Sequence, residues 1–410
     1  MTSYQPAPSP PSSPLILGSP STEVPTLTNT ELALVTGARL AMTTAYRVIY
    51  PLLPFLSQRL DVNLQTVSAL VTVQMIASLI SPIGGALADT RGPRTTMSLG
   101  LAVFCVGALL CAALSTFSGF LAGYLLIGLA AALYQPAAQA YVSARTPYTR
   151  RGWALGVYET SWAGAAILGV TPLMFLVERT NDSAPVFWAL LGVGIGSLAL
   201  IRLALPSTPM AVGDGAASRR IEWGALRMPR VLGMLGLLTL SLAAVDLVFV
   251  IHGAWLKTDF GASEAQLGQA FGVLGIAELV GAVGSTLLVD RVGKKRAVVF
   301  GFLATAAGLA LLPFSDGNWL LFLTLFFLFG VCFEFAIVAA FPLASGIAPG
   351  IRGTVMALSV TSTGLGRTLG SLLSEPIWRT YGIGANGLLA AALTIVGVVV
   401  CLRFVHETET

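Results

Sequence analysis

Apolar runs of roughly 20 residues recur along this chain, each long enough to cross a ~30 Å hydrocarbon layer. Twelve such spans are placed at about 32–56, 64–88, 95–114, 119–143, 153–177, 186–205, 231–256, 265–289, 297–313, 318–345, 353–376 and 384–403. The connections Ser115–Ser118, Thr180–Pro185 and Phe314–Gly317 are turn-like. Only 10% of the 410 residues are charged and 55% are hydrophobic, where a soluble domain carries about 25% charged residues. A mean hydropathy of +0.82 cannot be hidden in one water-soluble core, so lipid is the natural solvent. The 44 glycines fit that reading, because they let helix backbones approach closely inside a bilayer. An all-α membrane protein is expected.

The four cysteines, Cys105, Cys111, Cys332 and Cys401, all fall in apolar runs without metal-ligand or disulfide spacing. No cofactor or metal is expected. Residues 1–30 hold seven prolines and no Lys or Arg; they lack a secretory leader's basic start and read as a disordered cytoplasmic tail. Residues 31–205 are expected to form an N-terminal six-helix bundle and residues 231–405 a C-terminal one. Between them lies a cytoplasmic loop at 206–230, carrying Arg219, Arg220, Trp223, Arg227 and Arg230, with room for a short surface helix. Residues 406–410 form a second cytoplasmic tail.

Basic residues set the orientation. With the N-terminus inside, sixteen fall on the cytoplasmic side: Arg91, Arg94, Arg145, Arg150, Arg151, Arg202, Arg219, Arg220, Arg227, Arg230, Arg291, Lys294, Lys295, Arg296, Arg352 and Arg403. Only Arg59, Arg179, Lys257 and Arg379 fall outside. Both termini are therefore placed in the cytoplasm of a cell (plasma or inner) membrane, and the formal charge of +4 calls for no nucleic acid. Tryptophans 153, 188, 255, 319 and 378 sit near span ends, where amphipathic rings prefer to lie. His252, near the outer end of span 7, reads as a solvated interfacial residue.

The chain repeats itself. Asp89-Thr90-Arg91-Gly92-Pro93-Arg94 follows span 2, and Asp290-Arg291-Val292-Gly293-Lys294-Lys295 follows span 8, 201 residues later. Arg151-Gly152 and Arg352-Gly353, and Gly169 and Gly370, match at the same offset, while Ser68 and Thr72 align with Gly268 and Gly272 at 200. Several matches at equivalent places indicate a duplicated six-helix unit.

Gly85-Ala86-Leu87-Ala88-Asp89-Thr90-Arg91-Gly92-Pro93-Arg94 resembles the G-x-L-x-D-R-x-G-R-R loop of the major facilitator superfamily, and the likeness covers nearly all of 30–405. It points to the efflux and sugar-efflux-permease side of that superfamily. The resemblance implies twelve transmembrane helices in two pseudo-symmetric six-helix bundles. It also implies a conformational latch at Gly85, Asp89, Arg91, Gly92 and Arg94, with a degenerate copy at Asp290, Arg291 and Gly293. Two departures stand out. Tyr124 occupies the place, four residues before Gly128, where drug exporters usually carry Arg. Their fifth-span G-P-x-x-G-G motif survives only as Gly164, Gly169 and Pro172.

An ionisable side chain at bilayer depth costs at least about 2.5–3.5 kcal/mol, so each needs a reason. Seven fall well inside spans: Arg39, Arg47, Glu159, Asp246, Glu278, Glu334 and Arg367. Arg39, Thr43 and Arg47 form a stripe along one helix face, and Glu278 shares the Gly268, Gly272, Gly275 and Gly281 side of span 8. In the family fold spans 1, 4, 7 and 10 line a central cavity and 2, 5, 8 and 11 frame the interface, and all seven charges lie on those spans. The first half nets +1 and the second −2. The expected pairs are Arg39–Glu159 and Glu334–Arg367, with Arg47 facing Asp246 or Glu278 across the cavity. One carboxylate is then left over. Such a group in low dielectric tends to carry a proton, and Glu278 or Asp246 is expected to do so. The same pairs could instead hold helices together. Tyr46, Tyr50, Tyr134, Gln135, Tyr158 and Trp162 could contact a solute or serve packing.

The leading expectation is a monomeric secondary transporter, not an enzyme, exporting a small organic solute in exchange for protons. A second is uptake of a nutrient or organic anion bound by Arg47. A third, of another class, is a membrane sensor or lipid-handling protein on the same scaffold. No nucleotide-binding glycine loop is visible, so energy should come from a gradient. Single cysteines placed in the 89–94 and 290–296 loops should react with a membrane-impermeant maleimide only after the membrane is opened. Labelling of both from outside would overturn the orientation.

Overall fold

The structure, a computed structural model, describes residues 26–147, 151–206, 223–315, 317–348 and 352–405, and the regular elements among them are all helical. In chain order they are α1 (Asn29–Arg59), α2 (Leu64–Ser78, resuming as Ser81–Arg91), α3 (Pro93–Ala113) and α4 (Phe117–Ala144). There follow α5 (Arg151–Gly164, a π-helical turn Ala165–Val170, then Thr171–Thr180) and α6 (Ala184–Ala204). The second set is α7 (Pro229–Phe249, resuming as His252–Phe260), α8 (Glu264–Val292), α9 (Lys294–Leu311), α10 (Trp319–Ile347), α11 (Arg352–Tyr381) and α12 (Ile383–Phe404). Ten of these are both long and apolar enough to span a bilayer by composition alone. The other two, α1 and α11, are as long and carry Arg39, Arg47 and Arg367.

The duplication is written into the backbone. Left-handed residues recur at Asp61 and Gly261, at Gly92 and Gly293, and at Asn181 and Gly382, so the chain turns the same corners about 200 residues apart. Side-chain caps recur too: Asn63 opens α2 and Ser263 opens α8, Thr116 opens α4 and Asn318 opens α10. Each side-chain oxygen satisfies an N–H that the first helical turn would leave orphaned. Arg94 donates to the carbonyl of Arg202 and Lys295 to that of Leu402, so in both halves a basic residue opening the third helix caps the end of the sixth.

Packing repeats with it. Gly100 and Gly107 let α3 onto α4, while Gly301 and Gly308 let α9 onto α10. Gly169 meets Thr44 of α1, and its equivalent Gly370 meets the carbonyl of Ala243 in α7. Between the halves, α5 packs on α8, α2 on α11, and α1 on the second piece of α7.

Interruptions have identifiable causes. Pro82 lacks an amide hydrogen and restarts α2 at its first turn. In α7 the carbonyl of Leu247 instead accepts from Ser374 Oγ at 2.7 Å and Asn386 Nδ2 at 2.8 Å. The helix breaks three residues later with no proline present. The first helix begins at Asn29 behind the Thr28 and Glu31 capping box, slightly earlier than expected, and residues 1–25 lie outside the described ones. In the central loop a 3₁₀ turn at Trp223–Arg227 is seen; Arg219 and Arg220 lie outside the described residues. Two interfacial expectations are corrected. His252 and Trp255 are each only 1% exposed. His252 stacks on Phe249 and Phe326, and Trp255 donates to Asp259 at 2.8 Å.

If glycine stripes set these distances, Gly370→Leu should lower the melting temperature in detergent by several degrees. Overpacking of this kind costs about 1–3 kcal/mol, and here the obstacle is backbone of α7. Gly196→Leu, where nothing lies within 4 Å, should melt like the parent. Equal melting of the two variants would refute the assignment.

Candidate functional site

Three arginine–carboxylate pairs climb through the middle of the molecule. Arg39 and Arg47 lie eight residues apart on α1, about 12 Å along the axis. Arg39 donates to Glu159 Oε2 at 2.7 Å and to the carbonyl of Tyr158 at 2.9 Å, with its guanidinium 4.2 Å over the Tyr158 ring. The Arg39 side chain is buried while that of Glu159 is 51% exposed. This pair therefore meets open space, and Gln139 Nε2 reaches Glu159 at 3.3 Å.

The second pair crosses between the halves. Arg47 grips Glu278 of α8 with both terminal nitrogens, at 2.7 and 2.8 Å, and both side chains are less than 10% exposed. A bidentate fork of this kind is strong and directional. Trp162 supports it three ways: its carbonyl accepts from Arg47 at 2.9 Å, its indole Nε1 donates to Glu278 at 3.2 Å, and its ring lies 4.8 Å from the guanidinium. Phe271 lies on another side at 5.9 Å. The π-helical turn begins three residues after Trp162. Such turns shift the i→i−4 ladder and release carbonyls, and they gather at functional sites.

The third pair is Asp246 with Arg367, at 3.3 Å through both Nε and Nη2. Asp246 is fully buried, and Tyr50 of α1 accepts from Arg367 at 3.5 Å, tying the second half to the first. The expected Glu334–Arg367 pair is not made. Gly366 and Gly370, flanking Arg367, bring α11 against α7, and a Cβ at Gly370 would lie 2.9 Å from that of Asp246. The face carrying Arg367 is thereby committed to α7, away from α10. Glu334 packs elsewhere: its Cβ would lie 2.9 Å from one at Gly281, one turn beyond Glu278. Among the described residues it has neither an ion pair nor a hydrogen bond.

Of the seven charges read inside the spans from the sequence, six are therefore joined in three pairs, and Glu334 stands beside the central one. The Arg39–Glu159 pair is as expected, and Arg47 reaches Glu278 rather than Asp246. Sequence reasoning missed the pair between Glu31 and Arg145, 2.9 Å apart and buried with Tyr141, because both residues sit near span ends and look solvated. A small cavity beside the ladder is lined by Arg39, Thr43, Tyr46, Tyr134, Gln135 and Trp162 among others.

The latch residues stay within their own halves in the contacts described. Arg94 engages α6 as above, Arg91 and Arg291 are exposed, Gly92 and Gly293 supply the left-handed corner, and Gly85 meets nothing within 4 Å. The side chains of Asp89 and Asp290 lie outside the described ones.

The described cross-half contacts gather on the side away from the chain termini. They include Tyr50 with Phe249, Thr72 with Ser371 at 3.1 Å, and Thr171 with the Gly268 carbonyl at 2.8 Å. Glu159, towards the other side, is the exposed member of the ladder.

The model of the Major Facilitator Superfamily matches residues 35–254 and 240–410. Among similar proteins, the Bacillus subtilis (strain 168) "Uncharacterized MFS-type transporter YwfA" is 27% identical, over 86% of each chain. The "Multidrug resistance protein MdtG" of Serratia proteamaculans (strain 568) is 25% identical over 86% of this chain and 88% of its own. "Quinolone resistance protein NorA" of Staphylococcus aureus is 22% identical over 87% and 91%. In fold, the chain is similar to the inward-open xylose transporter XylE from E. coli, with a TM-score of 0.77 at 15% identity over 93% and 97%. A D-xylose–proton symporter structure gives 0.74 at 17% identity over 92% and 98%.

Removing one member of the buried central pair should leave the other charge stranded, a loss of about 3–5 kcal/mol. Glu278→Ala is expected to melt well below the parent in detergent, and Arg47→Met with Glu278→Leu together should recover most of the loss. A double variant as unstable as the sum of the singles would show that the two residues are not coupled.

Proposed function

The chain belongs to the major facilitator superfamily of membrane transporters, and from that premise we propose that it exports a small organic solute in exchange for protons by alternating access. The observation that carries this reading is Glu334. It is half-buried at mid-helix, has no cation of its own among the described residues, and lies beside the pair that joins the halves. An intramembrane carboxylate needs a compensating charge, and a proton arriving from the aqueous cavity can supply it. Glu278 and Asp246, the other candidates, are both held by arginines. We assign the coupling proton to Glu334.

In the cycle we envisage, the chain faces the cytoplasm when the Tyr50–Phe249, Thr72–Ser371 and Thr171–Gly268 contacts are closed. Solute enters beside Tyr46, Gln135 and Trp162. Proton exchange at Glu334 changes the field on Arg47 and so the strength of its hold on Glu278, which must loosen for the outer side to part. The 89–94 and 290–293 loops act as the latch on the cytoplasmic side. Both termini are cytoplasmic, the membrane is the cell membrane, and the working unit is the monomer. Names among the relatives, a multidrug and a quinolone resistance protein, support export of an organic solute. The uptake reading needs Arg47 free for an anion, whereas Glu278 and the Trp162 carbonyl occupy it.

Liposomes holding a pH dye and challenged with a solute panel that includes a quinolone test this. The parent should move protons with at least one solute. Glu334→Gln should lose proton movement by tenfold or more while still exchanging labelled solute for unlabelled. Full proton movement in that variant would overturn the assignment of Glu334, and solute flux without protons in the parent would overturn antiport.

A further inference from the structure

A groove of about 670 Å³ opens where the last turns of α2 and α6 meet the start of α3. Its lining combines three arginines, Arg91, Arg94 and Arg202, and the hydroxyls of Thr95, Thr96 and Ser98 with an apolar stretch that includes Leu99 and Leu198. Among the described residues none of the three arginines has a carboxylate partner. Arg94 gives one terminal nitrogen to the Arg202 carbonyl, and its buried Nε–H has no acceptor. Three like charges thus line one groove, and Arg94 keeps an unspent donor. Their mutual repulsion is unfavourable unless an anion is shared.

The apolar stretch tells which anion. The groove runs from charged helix ends towards a lipid-facing surface on which Ile195, Leu200 and Leu203 are 54%, 49% and 84% exposed. A free anion would use the arginines and leave the apolar stretch empty. A diacyl phospholipid uses both: its phosphodiester takes the arginine forks, which suit phosphate geometry, and an acyl chain lies along Leu99 and Leu198. The second half lacks the same equipment. At the 201-residue offset Val292 replaces Arg91 while Arg296 replaces Thr95, and Phe300 replaces Leu99 and Leu303 replaces Ala102, which moves a charge and adds bulk.

We propose that this groove is a binding site for one anionic phospholipid on the side of the membrane that holds the chain termini. The site is independent of the transported solute and of its coupling ion.

The test is native mass spectrometry of the full chain in detergent, titrated with phosphatidylglycerol or phosphatidylcholine of equal chain length. One phosphatidylglycerol should bind at least tenfold tighter than phosphatidylcholine. Arg91→Gln with Arg202→Gln should weaken it roughly 30-fold, the loss expected for two basic residues at an anionic surface. Ala102→Phe, which fills the groove without changing charge, should also weaken it, so the result does not hang on one variant's folding. Lys294→Gln with Arg296→Gln, an equal loss of charge in the second half, should leave it unchanged. Equal weakening by that control pair would mean diffuse attraction to the surface and overturn the site. Displacement by millimolar inorganic phosphate would mean a free-anion site, and equal binding of the two lipids would remove the charge argument; either result overturns the proposal.

Discussion

A guanidinium in the middle of a bilayer must bring its own counter-charge, and the structure is arranged around that requirement at Arg47. Its partner Glu278 comes from the other half of the chain, in a bidentate and nearly dry contact. Because the partner lies across the interface, neutralising Arg47 also fixes how α1, α5 and α8 sit together. Trp162 and the π-helical turn after it make sense in that light: they turn a helix carbonyl and an indole N–H onto the pair, filling its remaining hydrogen-bond capacity. Arg39 and Arg367 repeat the theme at neighbouring depths with partners inside a single half.

Close helix approach makes these pairs possible. In lipid no hydrophobic force drives helices together, so small residues and polar contacts decide which faces meet. Gly366 and Gly370 place Arg367 on α7 and so select Asp246; Gly281 admits the Cβ of Glu334 beside Glu278. The paired-glycine pattern is duplicated, but the charges are not. Gly169 and Gly370 are equivalent, yet one meets a threonine side chain and the other the backbone beside an aspartate.

That difference explains what could be read from the sequence and what could not. Span count, helix order and the duplication were legible because each is a property of long stretches: apolar length for the first two, and an offset shared by many positions for the third. The charges lying well inside the spans were legible for the same reason, while the buried Glu31–Arg145 pair at the span ends was not. The pairing of the charges inside the spans was legible only in part. Arithmetic leaves one carboxylate over but does not name it, since Asp246, Glu278, Glu334 and Arg367 all lie near mid-helix. The missing information is rotational, namely which face of α11 turns to α7. A signal was present in Gly366 and Gly370 bracketing Arg367. The break in α7 left no such trace, because its cause lies in Ser374 and Asn386, more than 120 residues away. The burial of His252 follows from the same lack, its neighbours Phe271 and Phe326 being on other helices.

The size of the central interaction bears on how the halves can move. Breaking a buried ion pair by stranding its members costs about 3–5 kcal/mol. Carrying a two-state equilibrium from about 1:99 to 99:1 takes roughly 5.5 kcal/mol. One such pair is thus large enough to bias which side is open, and small enough that a single change of charge beside it can reverse the bias. Under the proton assignment proposed above, a change of charge at Glu334 would act on the neighbouring Arg47–Glu278 fork more strongly in low dielectric than it could in water. The contacts on the side away from the chain termini, such as the Tyr50–Phe249 edge and the Thr72–Ser371 hydroxyl pair, are individually weak. Such contacts can follow the central pair.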